Sequence, residues 1–136
     1  MLRVSRRTGF LLAALLTMAT GLLVYRYGAG LGRAVQDVSG DALWGMMIAW
    51  GMGALLPQLG VAARAMLAYG VCLAVETSQL IHVPWLDAVR ATKLGHLILG
   101  SDFDGRDLLA YAVGVLVAFA LEYLLRDLSA DEGTTT

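Results

Sequence analysis

Four long apolar stretches, separated by shorter polar segments, set the pattern of this chain. They cover about residues 8–25, 42–60, 64–81 and 107–125. Each is close to the roughly 17–25 residues with which a helix crosses the hydrocarbon core of a bilayer. Leu, Ala, Val and Gly follow one another without the period-two alternation of a barrel strand. The pattern therefore predicts an all-α fold, a four-helix transmembrane bundle, with residues 1–136 as a single integral membrane domain.

The segments between and after these stretches predict the connections. Residues 26–40 are rich in glycine and predict an irregular loop. The link around Pro57 is short, so the second and third helices should be antiparallel neighbours. The end of the chain, residues 126–136, predicts a flexible polar tail.

The longest connection, residues 82–105, has a pattern of its own. Pro84 suits the first turn of a helix, and apolar residues follow it at roughly helical spacing. This spacing predicts an amphipathic segment between helices 3 and 4 that lies in the membrane interface. Trp85 should then lie at head-group depth, while Arg90 and Lys93 point away from the apolar face.

Composition supports the membrane location and excludes one class of partner. Of the 136 residues, 58% are hydrophobic and 15% charged, whereas soluble domains average roughly 45–50% and about 25%. A net charge of −1 provides no basic field that would recruit nucleic acid, so no such partner is expected. The single cysteine, Cys72, has no intrachain disulfide partner.

The arginine cluster at the start of the chain predicts the orientation. Arg3, Arg6 and Arg7 precede the first stretch and favour a cytoplasmic N-terminus in a bacterial cytoplasmic membrane. Four spans would place five of the 10 Lys and Arg residues on each side, so the N-terminal cluster alone supports this orientation. The start also resembles a signal peptide, but three further apolar stretches favour an uncleaved first helix.

Glu76 and Gln79 are the most informative polar residues, because they interrupt the third apolar stretch. They are three apart and therefore share one helical face. An ionisable group inside a span is costly, so Glu76 should have a partner. Arg26, at the end of the first helix, and Arg90 are predicted to be within reach of it. A structural ion pair, or a protonated glutamate bonded to a neighbouring helix, is the alternative explanation.

Other acidic residues lie near the predicted helix starts. Asp41 opens the second stretch and has the residue type that caps helix N-termini. Asp102, Asp104 and Asp107 crowd the start of the fourth stretch, where capping should account for at least one of them. Their spacing does not match a calcium-binding EF-hand loop, which needs Gly at the sixth and Glu at the twelfth position. Neither a metal nor a cofactor is predicted.

One stripe of the fourth helix carries Asp107, Tyr111 and Gly114, spaced i, i+4 and i+7. Tyr111 brings a hydroxyl group close to the interface, and Gly114 allows another helix to approach. The two histidines, His82 and His96, lack the spacing of a zinc site and are interpreted as interfacial residues.

The ordered motifs resemble a bacterial membrane-protein family, number 2809 in the domain-of-unknown-function series. More distantly, the chain is similar to VanZ-like proteins, which share a Glu-x-x-Gln, a following Arg and an Asp-x-x-x-Asn-x-x-Gly. Tyr111 stands at the Asn position of that last motif. The resemblance implies a functional site but no reaction, since VanZ-like proteins are linked only to glycopeptide-antibiotic tolerance. It rests on Arg26, Arg90 and residues 40–44 (GDALW), 76–80 (ETSQL), 84–87 (PWLD), 99–100 (LG) and 107–114 (DLLAYAVG).

These observations predict a polar site near the outer membrane face. The favoured interpretation is binding of an anionic lipid or a lipid-linked envelope precursor, because guanidinium groups match phosphate geometry. A membrane enzyme with Glu76 as general base and a structural accessory subunit remain alternatives, and a homo-oligomer is left open. No catalytic residue is assigned. The predicted site consists of Arg26, Asp41, Glu76, Gln79, Arg90, Asp107 and Tyr111.

Overall fold

Helices account for nearly all of the chain that the structure, a computed structural model, describes. It describes residues 5–131, with side chains for residues 5–126, and contains no strand within that range. The all-α prediction is therefore confirmed. The elements, in chain order, are α1 (Arg6–Tyr27), a 3-10 turn (Gly28–Leu31), α2 (Arg33–Leu55), α3 (Val61–Ser78), α4 (Pro84–Arg90), α5 (Lys93–Leu99) and α6 (Gly105–Asp131).

Three of the helices are long and apolar enough to cross a membrane. The candidate spans are Arg6–Leu31, Val61–Ser78 and Gly105–Arg126. They correspond to the first, third and fourth predicted stretches. The helix α2 is not among them, because polar residues occupy its first turns and its apolar part contains several glycines and tryptophans. A fourth span stays a prediction.

The helix α2 lies at the centre of the packing, with α1, α3 and α6 against it, and α3 also packs against α6. Small residues make the closest approaches possible. A Cβ built on Gly45 would lie 2.6 Å from the backbone oxygen of Tyr111 in α6, and one on Gly114 would overlap the α2 backbone. Gly53 faces the ring of Phe10 in the same way. The predicted packing role of Gly114 is confirmed, whereas Gly51 of α2 has no neighbour within 4 Å of its Cβ position.

The predicted irregular loop over residues 26–40 is wrong for most of its length. A tight 3-10 turn follows α1, and Gly32, with φ of 87°, reverses the chain so that α2 begins at Arg33. Only glycine adopts that backbone angle without strain. Asp41 consequently lies about two turns inside α2, and its predicted role as an N-cap is wrong.

The side chain of Gln36 explains why this tight reversal is stable. Its amide nitrogen donates to the carbonyl oxygens of Val24 at 3.1 Å and Tyr25 at 2.7 Å. Both carbonyls belong to the last turn of α1, and that of Val24 also accepts from the Gly28 amide, so Gln36 joins the start of α2 directly to the end of α1. A helix of residues 33–40 is therefore favoured by a long-range contact that local glycine content does not reveal.

The connection between α3 and α6 forms two short helices instead of one amphipathic helix. Pro84 lies in the first turn of α4, as predicted. The break falls at Thr92, whose hydroxyl accepts a hydrogen bond from the Gly95 amide at 3.0 Å and so begins α5. A Cβ on Gly95 would overlap the carbonyl oxygen of Val89, so this sharp turn requires glycine.

At the end of the chain, α6 runs on to Asp131 instead of giving way to a tail at residue 126. The remainder of the predicted tail, residues 132–136, lies outside the described residues, as does Arg3 of the N-terminal cluster. The end of the molecule that carries α4 and α5 is called the α4–α5 end below.

Candidate functional site

The carboxylate of Glu76 joins α3 to α6 at the α4–α5 end. Glu76 is fully buried in the last turn of α3. Its Oε1 accepts from the backbone amide of Asp104 at 2.8 Å, and its Oε2 accepts from the Tyr111 hydroxyl at 3.2 Å and from Gln79 Nε2 at 3.3 Å. Each buried carboxylate oxygen of Glu76 thus has at least one hydrogen-bond donor, as buried polar groups in folded proteins usually do. Three neutral hydrogen-bond donors therefore take the place of the arginine that the sequence predicted as the partner of Glu76.

The predicted pairing of Glu76 with Arg26 or Arg90 is wrong. Arg26 is exposed, and its Cζ lies 5.8 Å from the centre of the Tyr27 ring. It belongs to α1, which packs chiefly against α2. Among the described residues, no Arg, Lys or His forms an ion pair with Glu76.

Arg90 binds the end of α3. Arg90 is buried. Its Nη2 donates to the carbonyl oxygen of Ser78 at 2.6 Å, and its Nη1 to that of Ile81 at 2.8 Å, with Asp87 Oδ1 at 3.4 Å. Carbonyls at a helix C-terminus lack intrahelical donors, and a guanidinium group suits the negative end of the helix dipole. Arg90 therefore fastens α4 to α3.

Gln79 fastens α5 in the same region. Its Nε2 donates to the carbonyl oxygen of Leu99 at 3.0 Å, in addition to Glu76. Gly100, with φ of 63°, allows the chain to pass closely over this amide. The Gln79 Oε1 atom is buried and has no hydrogen-bond partner. Together with Arg90, Gln79 fixes α4 and α5 over the ends of α3 and α6.

Asp41 and Asp107 form a pair of carboxyl groups beside Glu76. They lie on α2 and α6, are both partly buried, and are close enough for their charges to interact with each other and with Glu76. No Arg, Lys or His forms an ion pair with either carboxyl group within the described residues. The pair can hold a proton or accept hydrogen bonds from a ligand.

Nearby, Asp104 begins α6 by accepting from the Arg106 amide at 2.9 Å, which confirms that capping accounts for at least one aspartate of that cluster. No group of three or more His, Cys, Asp or Glu residues in the described part of the chain is arranged to hold a metal ion.

A cavity of about 510 Å³ opens between α4 and α5. Three of its lining residues are basic, and one is acidic. Sequence reasoning selected only Arg90 of this set, although the i, i+3 spacing of Lys93 and His96 was a signal that both lie on one face of a helix. The lining residues are Asp87, Arg90, Ala91, Thr92, Lys93, His96 and Ser101.

The structure brings together most of the predicted site. Glu76, Gln79 and Tyr111 share hydrogen bonds, and Asp41 and Asp107 lie beside them. Arg90 reaches the same end of α3 through its backbone carbonyls, but it faces the cavity between α4 and α5. Arg26 is not part of this arrangement.

Comparison with known proteins places the chain in a family. No solved structure matches it. The more distant resemblance to VanZ-like proteins stays a prediction. A family model described as "Protein of unknown function (DUF2809)" matches residues 31–115, which is more than half of the chain and includes every predicted site residue except Arg26. The chain therefore belongs to the DUF2809 family of proteins of unknown function.

Proposed function

We propose that this protein is a multi-pass protein of the bacterial cytoplasmic membrane that binds the phosphate-bearing head group of an anionic lipid or a lipid-linked envelope precursor. In this proposal α2 is a fourth span, because it packs against all three candidate spans. The helices α4 and α5 lie in the outer interface and hold the head group in the cavity between them.

The basic lining of that cavity is the observation that carries the proposal. Arg90 is held rigidly by the carbonyl oxygens of Ser78 and Ile81, while its Nε atom has no partner. Lys93 and His96 lie on the exposed side of the same cavity. A guanidinium group in a fixed position, with an ammonium group nearby, matches the charge and geometry of a phosphate.

Exposed apolar side chains on α4 and α5, the two helices that form the cavity, favour a lipid over a soluble phosphate compound. Trp85 is 69% exposed, Leu94 66% and Leu97 50%. In water such side chains would be costly, whereas in an interface they contact acyl chains. A charged cavity between two helices that also expose apolar side chains suits a ligand that has both a phosphate and a hydrocarbon chain.

The test is binding of phosphatidylglycerol and of a polyprenyl phosphate to the full chain in nanodiscs, measured by native mass spectrometry. Lys93→Gln should weaken binding about fivefold, since one cation near an anionic head group contributes about 1 kcal/mol. Arg33→Gln is the matched control, because Arg33 is exposed and lies outside the cavity. If Lys93→Gln and the control bind both probes as the wild type does, the cavity is not the site. Preference between the two probes distinguishes a bulk lipid from a precursor.

A second candidate function, a membrane enzyme that acts on a lipid-linked substrate, is supported by the carboxyl pair. Two adjacent carboxyl groups can act as the general acid and the general base of one reaction. The general base would then be Asp41 or Asp107, because both Glu76 oxygen atoms already accept hydrogen bonds. Turnover of a polyprenyl-linked substrate that is lost in Asp107→Asn, with the fold retained, would establish this function. A loss of stability without any change in binding or turnover would instead favour an accessory structural role.

A further inference from the structure

A second charged cluster lies at the end of the molecule opposite to α4 and α5. Arg64, near the start of α3, is only 2% exposed. Its Nη2 donates to Glu122 Oε1 on α6, and its Cζ lies 4.9 Å from the centre of the Phe10 ring on α1. The Nε and Nη1 atoms of Arg64 are buried and have no acceptor. A buried guanidinium group with two unused donors is unfavourable unless a further anion approaches it.

The charges in this cluster do not balance. The same Glu122 oxygen also accepts from Arg126 Nε at 3.1 Å and Nη2 at 2.8 Å. One carboxylate therefore serves two guanidinium groups and leaves one positive charge in excess. Arg6 and Arg7 are exposed in the first turn of α1, one turn before Phe10, and add to the positive charge of this end. The segments 6–10, 53–64 and 119–126 contain no other acidic residue, and α6 continues beyond Arg126 with Asp127 and Asp131.

We propose that this cluster binds the phosphate group of an anionic lipid in the leaflet at this end, which the N-terminal arginines predict to be cytoplasmic. Arg126 is the accessible member, with a side chain 37% exposed. Arg64 lies behind it and supplies the excess charge. Basic pockets between helices on the cytoplasmic side are suited to anionic head groups, because that leaflet carries negative lipids.

The surroundings favour a lipid over free phosphate here as well. Leu121 and Leu124 of α6 are 43% and 58% exposed, and Met66 of α3 is 72% exposed. All three lie within about a turn of Arg64, Glu122 or Arg126 on their helices, so the acyl chains of a lipid would contact them while its phosphate meets the arginines. This site is independent of the cavity between α4 and α5 and does not rest on the function proposed for it.

The experiment measures binding of phosphatidylglycerol and phosphatidylcholine to the full chain by native mass spectrometry, with peptide mapping of a photoactivatable phosphatidylglycerol. Arg126→Gln leaves the contact between Arg64 and Glu122 in place and should weaken phosphatidylglycerol binding about fivefold. It should also remove the crosslink to the α6 C-terminal half. Arg126→Lys should restore part of the binding. Arg106→Gln, an exposed arginine at the other end of α6, is the matched control and should bind as the wild type does.

Each other outcome overturns the inference. Wild-type binding in Arg126→Gln would show that the cluster is only structural. Equal binding of the two lipids would show that phosphate charge is not recognised, and displacement by glycerol phosphate at equal concentration would assign the site to a free phosphate. Lys93→Gln should not affect the α6 crosslink, so failure at one end of the molecule is distinguishable from failure at the other.

Discussion

Replacing Glu76 with glutamine tests whether its carboxylate is ionised and holds the α4–α5 end together. In the structure three neutral donors converge on its two oxygen atoms. Glutamine has nearly the same shape but only one acceptor oxygen. We expect Glu76→Gln to destabilise the protein, because a donor group would now face donors where an anion accepted from them.

The magnitude follows from counting these bonds. If the amide oxygen of the variant keeps the bond to Asp104, its NH2 group faces the Tyr111 hydroxyl and Gln79 Nε2. The Tyr111 hydroxyl can turn and accept, but Gln79 loses one acceptor. Since a hydrogen bond to a charged group contributes about 1.5–3 kcal/mol, we expect a loss of about 2 kcal/mol. If the main effect were instead the removal of a poorly solvated charge, the variant would be more stable than the wild type. The sign of the change in the free energy of unfolding therefore distinguishes the loss of hydrogen bonds from the removal of a poorly solvated charge.

The assay is reversible unfolding of the purified protein in mixed micelles by a denaturing detergent, followed by circular dichroism. Asp102→Asn is the control, because it removes an exposed carboxylate at the same end and should change stability little. A double-mutant cycle with Tyr111→Phe should give a coupling free energy of about 0.5–1.5 kcal/mol. A Glu76→Gln protein as stable as the wild type, or more stable, would refute the view that Glu76 is an ionised acceptor.

The remaining predictions concern packing, the α5 attachment and topology. Gly114→Ala should lower stability by about 1–3 kcal/mol in the same assay, because its Cβ overlaps the α2 backbone, whereas Gly51→Ala, with open space around it, should not destabilise. Gly100→Ala, at a φ of 63° and against a buried glutamine amide, should increase hydrogen exchange throughout α5. Cysteines introduced at Gln58 and His82 in a cysteine-free background should be labelled from opposite sides of the membrane, and labelling from one side would contradict the predicted topology.

The sequence predicted the helices far better than the way they connect. Apolar composition over residues 8–25, 64–81 and 107–125 is a sufficient signal for a long helix, and all three are present as candidate spans. The prediction of a loop was wrong for the glycine-rich segment 26–40, because it rested on local composition alone. There the amide of Gln36 bonds to the end of α1, and this tertiary contact favours a helix where local composition favours a loop.

The site was predicted only in part, because spacing along the chain indicates contacts within a helix but not contacts between distant segments. Spacing within a helix correctly placed Glu76 beside Gln79, and the same kind of spacing, i, i+4, brings Glu122 and Arg126 together. Charge complementarity between distant segments was a poor guide, because it selects an arginine whenever a buried carboxylate needs a partner. The sequence does not indicate which backbone amides and carbonyls a side chain will bind. The amide of Asp104 is one of the groups that the sequence could not indicate.

The three-dimensional arrangement of charge gives information about the orientation of the chain in the membrane that a count of Lys and Arg residues does not give. By sequence, five Lys or Arg residues fall on each predicted side. At the α4–α5 end, however, Arg90 is engaged by Asp87 and by backbone carbonyls, and the carboxyl groups of Asp41 and Asp107 have no cationic partner among the described residues. At the opposite end two guanidinium groups share one carboxylate. Because the cytoplasmic leaflet carries the anionic lipids, the end with the excess positive charge should face it. A cytoplasmic N-terminus stays a prediction, for which this uneven charge is an argument separate from the N-terminal arginines.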